Sequence, residues 1–251
     1  MSLKLVSLNI ERSNHLDRVL PFLAAEAPDV VCLQELMEYD IPRFAQEFGP
    51  HFHFDPMTIH QAEGREGKMG VGIFSHNPFV ATRTHYYRGK AGQVPTHIEM
   101  SGAVTEEEKG RSVSGMLLVA EIMHENALYR VGTVHFTWTA KGGTNDLQRA
   151  DLHTLLELLE HEREIVFCGD FNAPRGGEIF SKIADAYADN VPSKYKTSID
   201  ATLHRNGRDR PEELADKMVD GLFTSPHYHA KDVSLVPGIS DHCAIVATVT
   251  I

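Results

Sequence analysis

Polar residues that are out of keeping with apolar surroundings recur where β-rich runs of this chain end, and their types define a narrow chemistry. Asn9 and Glu11 mark the end of the run Lys4 to Ile10, Glu35 closes Val30 to Gln34, and His135 lies near the end of Tyr129 to Phe136. Asp170 and Asn172 end Ile165 to Phe171, Asp220 lies in Val219 to Ser225, and Asp241 with His242 opens Cys243 to Ile251. In an α/β fold such strand ends line one crevice, so residues far apart in sequence can meet there. The set is rich in oxygen donors, with two imidazoles, no thiol and no serine elbow. Carboxylate and carboxamide oxygens suit Mg²⁺ or Mn²⁺, and Mg²⁺ often completes its octahedral shell with phosphate oxygens.

The elements that must position these groups alternate along the chain. Further β-rich runs span Gly70 to Ser75, Met116 to Met123 and Val233 to Val236, and a hairpin is predicted around Glu125 and Asn126. The clearest helical pattern runs from Asn145 to His161, where Leu152, Leu155, Leu156 and Leu159 form one apolar face behind a polar cap. A second pattern, Leu16 to Ala27, contains Pro21 and predicts a kink or a late start. Shorter helices are expected over Ile41 to Phe48 and Gly177 to Ala186. Strands and helices do not keep the strict period of a TIM barrel, so the sheets should be mixed. Two polar stretches, Tyr87 to Gly115 and Tyr187 to Lys217, exceed what connections need and read as substrate-facing loops.

Composition bounds the class. The 251 residues suit one large domain, 1–251, with no linker, repeat or low-complexity tract. A formal charge of −11, from 24 Lys and Arg against 35 Asp and Glu, disfavours a protein that coats duplex DNA, because that affinity comes from positive contacts releasing counterions. A local groove or a bound cation can still serve a nuclease. The N-terminal MSLKLVSLNIERS lacks a signal-peptide core, and no apolar stretch approaches bilayer length, which predicts a cytoplasmic protein without a membrane anchor. Cys32, Cys168 and Cys243 sit in apolar runs and read as buried thiols. His51, His53 and His60 match no common zinc spacing and are not read as ligands.

LNIE at 8–11, LQE at 33–35, GVGIFS at 70–75, TVHF at 133–136, GDFNAP at 169–174, VDGLFTS at 219–225 and SDH at 240–242 follow one another at plausible spacing. In this order they resemble the motifs of the endonuclease/exonuclease/phosphatase superfamily, across almost the whole chain. The resemblance implies a DNase I-like α/β (α+β) fold, a four-layer sandwich of two mostly antiparallel mixed β-sheets flanked by helices, with a divalent-metal phosphoesterase site at one edge. It implies Glu35 as principal metal ligand with Asn9 beside it, Asp241 helping directly or through water, and Glu11 in the outer shell. Asp170 would orient or deprotonate the attacking water, and Asn172 would hold that water or a phosphate oxygen. His242 would contact the scissile phosphate with Asp220 orienting it, and His135 would be a second phosphate-facing histidine.

Each of these residues also has an ordinary structural reading: Asn9 as a turn former, Glu11 and Glu35 as solvated charges, Asp170 and Asn172 as a cap. Their joint occurrence favours the chemical one. Arg111, Lys141 and Arg175, near the motifs, are candidates to bind substrate phosphates, and Trp138 to stack on a base or headgroup. The expected activity is hydrolysis of a phosphodiester, at a nucleic-acid end or in a small molecule, by in-line attack of water. The alternatives are a phosphomonoesterase on a sugar, inositol or lipid phosphate, and a non-catalytic phosphate-ligand-binding module of the same fold.

Overall fold

The computed structural model describes residues 2–62, 64–207 and 209–251. Its strands are β1 (Leu3–Asn9), β2 (Val30–Met37), β3 (His51–Ala62), β4 (Arg65–Ser75), β5 (Phe79–Arg88), β6 (Gly115–His124), β7 (Ala127–His135), β8 (Val166–Asp170), β9 (Ala188–Asp189), β10 (Asp220–Thr224), β11 (His229–Val236) and β12 (Ala244–Thr250). Its α-helices are α1 (Leu16–Glu26), α2 (Ile41–Phe48), α3 (Glu106–Arg111), α4 (Asp146–Glu162) and α5 (Glu178–Ala186).

The strands form two six-stranded sheets, ordered β11-β12-β1-β2-β4-β3 and β5-β6-β7-β8-β10-β9. Pairing is antiparallel except between β1 and β2 in the first sheet and β7 and β8 in the second. Apolar residues of both sheets, among them Leu5, Cys32, Ile73, Leu118, Val131, Cys168, Leu222 and Ile245, fuse into one buried cluster between them. The other face of the first sheet packs Val6, Leu8, Val31 and Leu33 against Val19, Leu23, Phe44 and Phe48 of α1 and α2. The other face of the second packs Val119, Phe167 and Phe223 against Leu152, Leu155 and Leu159 of α4 and Phe180 and Ile183 of α5. The layers are therefore helix, sheet, sheet, helix. The inner strands β1, β2 and β8 are buried on both faces along almost their whole length.

The structure adds elements that the sequence pattern hides. β3 and β5 are long strands whose side chains are mostly half-exposed, so no apolar run announces them. α3 lies inside the stretch expected to be loop, started by a capping box in which Thr105 Oγ1 accepts from Glu108 N and the Glu108 carboxylate accepts from Thr105 N. Helix α1 starts at Leu16 and runs through Pro21, so it does not start late. The cysteines are free and buried as expected. No helix among the described residues is long and apolar enough to cross a membrane.

Candidate active site

The two parallel strand pairs lie side by side in the interior of the sandwich, and each ends in residues that the sequence singled out. Asn9 ends β1 and pairs in register with Gln34, one residue before Glu35 on β2. His135 ends β7, Asp170 ends β8 and Asp220 begins β10, and these three are direct cross-strand neighbours in register. Adjacent residues on one face of a sheet stand about 5 Å apart, so the register alone assembles this part of the site. Asp241 and His242 precede β12, where an isolated bridge joins His242 to Ile199.

Backbone irregularities re-aim the remaining groups. A bulge in β2 between Leu33 and Leu36 breaks the ladder to β4 and leaves Glu35 at φ 56°. Bulges commonly redirect a side chain beside a functional site. Glu11, Arg12, Lys141 and Asn172 also have positive φ and, with Glu35, line the same cavity. Left-handed backbone at non-glycine residues is sterically costly and persists where surrounding structure enforces it.

The cavity has a volume of about 720 Å³. Its floor carries Glu11, Glu35, His135, Asp170, Asn172, Asp241 and His242. Asp170 Oδ2 is the hub: it accepts from Asn9 Nδ2 at 3.2 Å, and His135 Nε2 and His242 Nε2 stand 3.6 and 3.8 Å from it. The same Asn9 amide donates to Glu35 Oε1 at 3.2 Å, while Asn9 Oδ1 accepts from the Glu11 backbone. Asn172 donates from its backbone N to Asp170 Oδ1 and from Nδ2 to the Phe136 carbonyl. His242 Nδ1 lies 2.7 Å from Asp220 Oδ2, which fixes the ring and directs Nε2 at Asp170.

The charge states follow from burial and neighbours. Burial pushes the Glu35 carboxyl up, but His135, Arg12 and the Asn9 hydrogen bond outweigh it and leave it below its ordinary value. Burial raises Asp170 despite the opposing pull of His242. Burial, reinforced by the nearby carboxylates of Glu11 and Glu35, pushes Asp241 up to about 7. His242 would lose its proton on burial, yet Asp220 and Asp170 reverse this and hold it well above the usual histidine value. The result is an imidazolium amid buried carboxylates, of which Asp170 and Asp241 are held up by burial. Glu11, His15 and Asp241 place ligating atoms within 4.8 Å of one another, a spacing compatible with one bound cation.

The structure places the other candidates unevenly. Trp138 and Lys141 line the cavity, and Lys109 Nζ sits 4.1 Å over the Trp138 ring. Arg111 does not reach the cavity; it is exposed on α3 and ion-paired to Glu107. Arg175 is also outside, held by Asp189 and the Val191 carbonyl. Cavity residues without a sequence motif include Arg12, Lys109, His204 and Arg205. Ser198 is another omission: its buried Oγ accepts from the backbone of both Val219 and Asp220, and its carbonyl accepts from Cys243 N. Nothing in the local sequence marks it, because its partners lie on separate strands.

The sequence matches the family model described as the Endonuclease/Exonuclease/phosphatase family over residues 6–242. A comparison with curated proteins gave no match. Among solved structures, an endonuclease/exonuclease/phosphatase from Beutenbergia cavernae is 20% identical with a TM-score of 0.72, covering 100% of this chain and 72% of that one. The human Nocturnin catalytic domain with bound sulfate anion is 16% identical with a TM-score of 0.68, covering 99% and 94%. A humanized TDP2 from D. rerio is 15% identical with a TM-score of 0.64, covering 100% and 99%. At these identities the structural likeness speaks for the fold, while the family model spans nearly the whole sequence. The chain therefore belongs to the endonuclease/exonuclease/phosphatase family.

Proposed function

We propose that this protein is a divalent-metal-dependent phosphoesterase that hydrolyses a phosphodiester, at a nucleic-acid end or in a small molecule, by attack of an activated water. The observation that carries this reading is the convergence of Glu35, Asp170, His135 and His242 in one cavity, with Asp220 behind His242. Family membership supports the phosphoesterase class of this reading, while a structural neighbour named a mannosyl-6-phosphatase keeps the monoester alternative open.

The donor set fits Mg²⁺ or Mn²⁺. It is oxygen-rich, and an Asp241 carboxyl pushed up to about 7 by burial marks a place where a cation would relieve charge. Glu35 would be the principal ligand with Asn9 beside it, and Asp241 and Glu11 would complete the acidic side. A divalent ion held here would supply charge stabilisation to phosphoryl oxygens and would make a nearby water more acidic.

The protein's own groups do the rest. Asp170, made a stronger base by the burial that raises its pKa, orients and deprotonates the attacking water, and Asn172 holds a phosphate oxygen or that water. His242, kept protonated by Asp220, faces the scissile phosphate and neutralises developing charge. His135, whose Nε2 stands 3.6 Å from the same Asp170 oxygen, is a second phosphate-facing imidazole. Trp138 and Lys141 on the wall contact the remainder of the substrate.

The test is hydrolysis of a panel: a generic phosphodiester, a phosphomonoester, single- and double-stranded DNA, and inositol and lipid phosphates, with Mg²⁺, Mn²⁺ or EDTA. Activity should need metal and fall by about 10²-fold or more in Glu35→Ala and His242→Ala. Preference for the monoesters would select the phosphomonoesterase alternative. Folded protein that binds phosphate esters without turnover, unchanged by Asp170→Ala, would establish a binding module instead.

A further inference from the structure

A second constellation lines the cavity and plays no part in the chemistry above. β3 is extended at its outer edge by the segment after β5: Ile59 N donates to the Pro95 carbonyl at 2.8 Å, His97 N donates to the Ile59 carbonyl at 2.9 Å, and Ile59 bridges Thr96 in parallel. Thr58 Oγ1 donates to the carbonyls of Pro95 and Ser112, and Ile98 N donates to Ser112 Oγ. This backbone zipper fixes the His60 and His97 rings with centroids 4.5 Å apart, and Glu99 Oε1 stands 3.7 and 3.5 Å from their Nε2 atoms.

Two features distinguish the trio from a chance surface grouping. His60 is buried, and its Nδ1 lies 2.7 Å from the Gln61 carbonyl, which makes Nδ1 the protonated nitrogen and leaves a lone pair on Nε2 toward the other two residues. That is the outer-shell arrangement that orients metal-ligating histidines. His97 has no hydrogen-bond partner at its buried Nδ1, and its Nε2 faces the Glu99 carboxylate at 3.5 Å. Burial and the neighbouring His60 ring both disfavour a proton on His97, which suits a neutral ligand. The ligating atoms of all three lie within 4.8 Å of one another, as one small ion requires.

We propose that His60, His97 and Glu99 form a binding site for a transition-metal ion of the Zn²⁺ class, on the cavity wall and separate from the oxygen-rich cluster of Glu35 and Asp241. Two imidazoles and one carboxylate suit Zn²⁺, Co²⁺ or Ni²⁺ rather than Mg²⁺, which prefers all-oxygen shells. Three protein ligands leave tetrahedral coordination one short, and since all three residues line the cavity, the open position is available to water or an anionic group there. The site was invisible in sequence because His60 and H97-x-E99 are brought together by strand pairing rather than by a compact motif.

The proposal does not rest on phosphoesterase activity and is tested by binding alone. Metal-free protein held in saturating Mg²⁺ is titrated with Co²⁺ by visible absorption and with Zn²⁺ against a chromophoric chelator. One tight ion per chain is expected, with the intense Co²⁺ bands of low coordination number. His97→Ala and the exposed Glu99→Gln should each weaken it at least about ten-fold, the smallest effect expected even for an outer-shell change, while Glu35→Gln leaves it intact. Glu99→Gln guards against misfolding, since that side chain is 72% exposed. Absence of binding to the wild type, or binding that survives both changes, would overturn the proposal. So would loss of the ion in Glu35→Gln, which would place it in the acidic cluster.

Discussion

His242 illustrates how one side chain inherits its properties from several strands. Burial alone would strip its proton, and Asp220 at 2.7 Å and Asp170 restore it. In the proposed mechanism Asp220 acts through His242, so its removal should affect turnover more than binding. We expect Asp220→Asn to lower kcat by about 10²-fold with little change in KM, measured by steady-state kinetics on the best substrate from the panel. An equal rise in KM would mean that the pair only shapes the pocket. The residues of the floor were legible because each sits at the end of an apolar run where a charge has no packing reason to be. Arg111 and Arg175 were selected by proximity in sequence, and both are instead engaged by acidic partners away from the cavity. A basic side chain's destination depends on neighbours that a local reading cannot see.

At the scale of elements, the pairing of β7 with β8 is the hinge of the site, since it sets His135 beside Asp170. Gly169, just before Asp170, has φ 142°, and a Cβ there would lie 1.9 Å from the Val134 carbonyl oxygen. Gly169→Ala should cost about 3 kcal/mol in urea unfolding, through backbone strain and a displaced β8, with activity lost alongside. Stability within about 0.5 kcal/mol of wild type would refute this account. The GDFN motif thus contains a steric requirement as well as chemistry. Helix α4 was readable from its leucine spacing and its Asn145 cap, whose Oδ1 accepts from Gln148 N. β3 and β5 were not, because half-exposed strands carry polar residues on both faces, and α3 was masked by its charged composition.

At the scale of the whole molecule, two sheets packed face to face make the site, and a network on the outer side of the second sheet ties it to helix α4. Glu162, at the end of α4, accepts from Arg83 on β5 at 2.8 and 2.9 Å and meets His85 at 2.6 Å, while Arg83 and Arg130 both donate to Glu121. Burial pushes the Glu162 carboxyl up, but the Arg83 and His85 hydrogen bonds outweigh this and set it below its ordinary value of 4.5. A carboxyl with a lowered folded pKa binds protons more readily when unfolded. Its contribution is therefore present above the ordinary carboxylate range and lost as pH falls through the folded pKa. Glu162→Gln should be less stable than wild type at pH 7, and the gap should shrink as pH falls below the ordinary carboxylate range, followed by thermal unfolding. A gap that is constant with pH would show that charge on Glu162 is immaterial. The acidic balance of the chain is compatible with this picture, since the cations that face the cavity, such as Arg12 and Lys109, are local.

By itself the amino-acid order determined the buried strands, the main helix and the polar residues that end those strands, because burial and chemistry both leave their mark on residue type at a single position. The ordered motifs carried the layer architecture with them. Tertiary structure alone decided which end-of-strand residues touch, that Asp170 is the hub among Asn9, His135 and His242, and that Ser198 supports the backbone of Asp220. It also joined His60 to His97 and Glu99 across a bridge between β3 and the segment beyond β5. Those outcomes depend on register, bulges and positive-φ turns, where a shift of one residue reverses the face of a side chain and no local pattern records the choice.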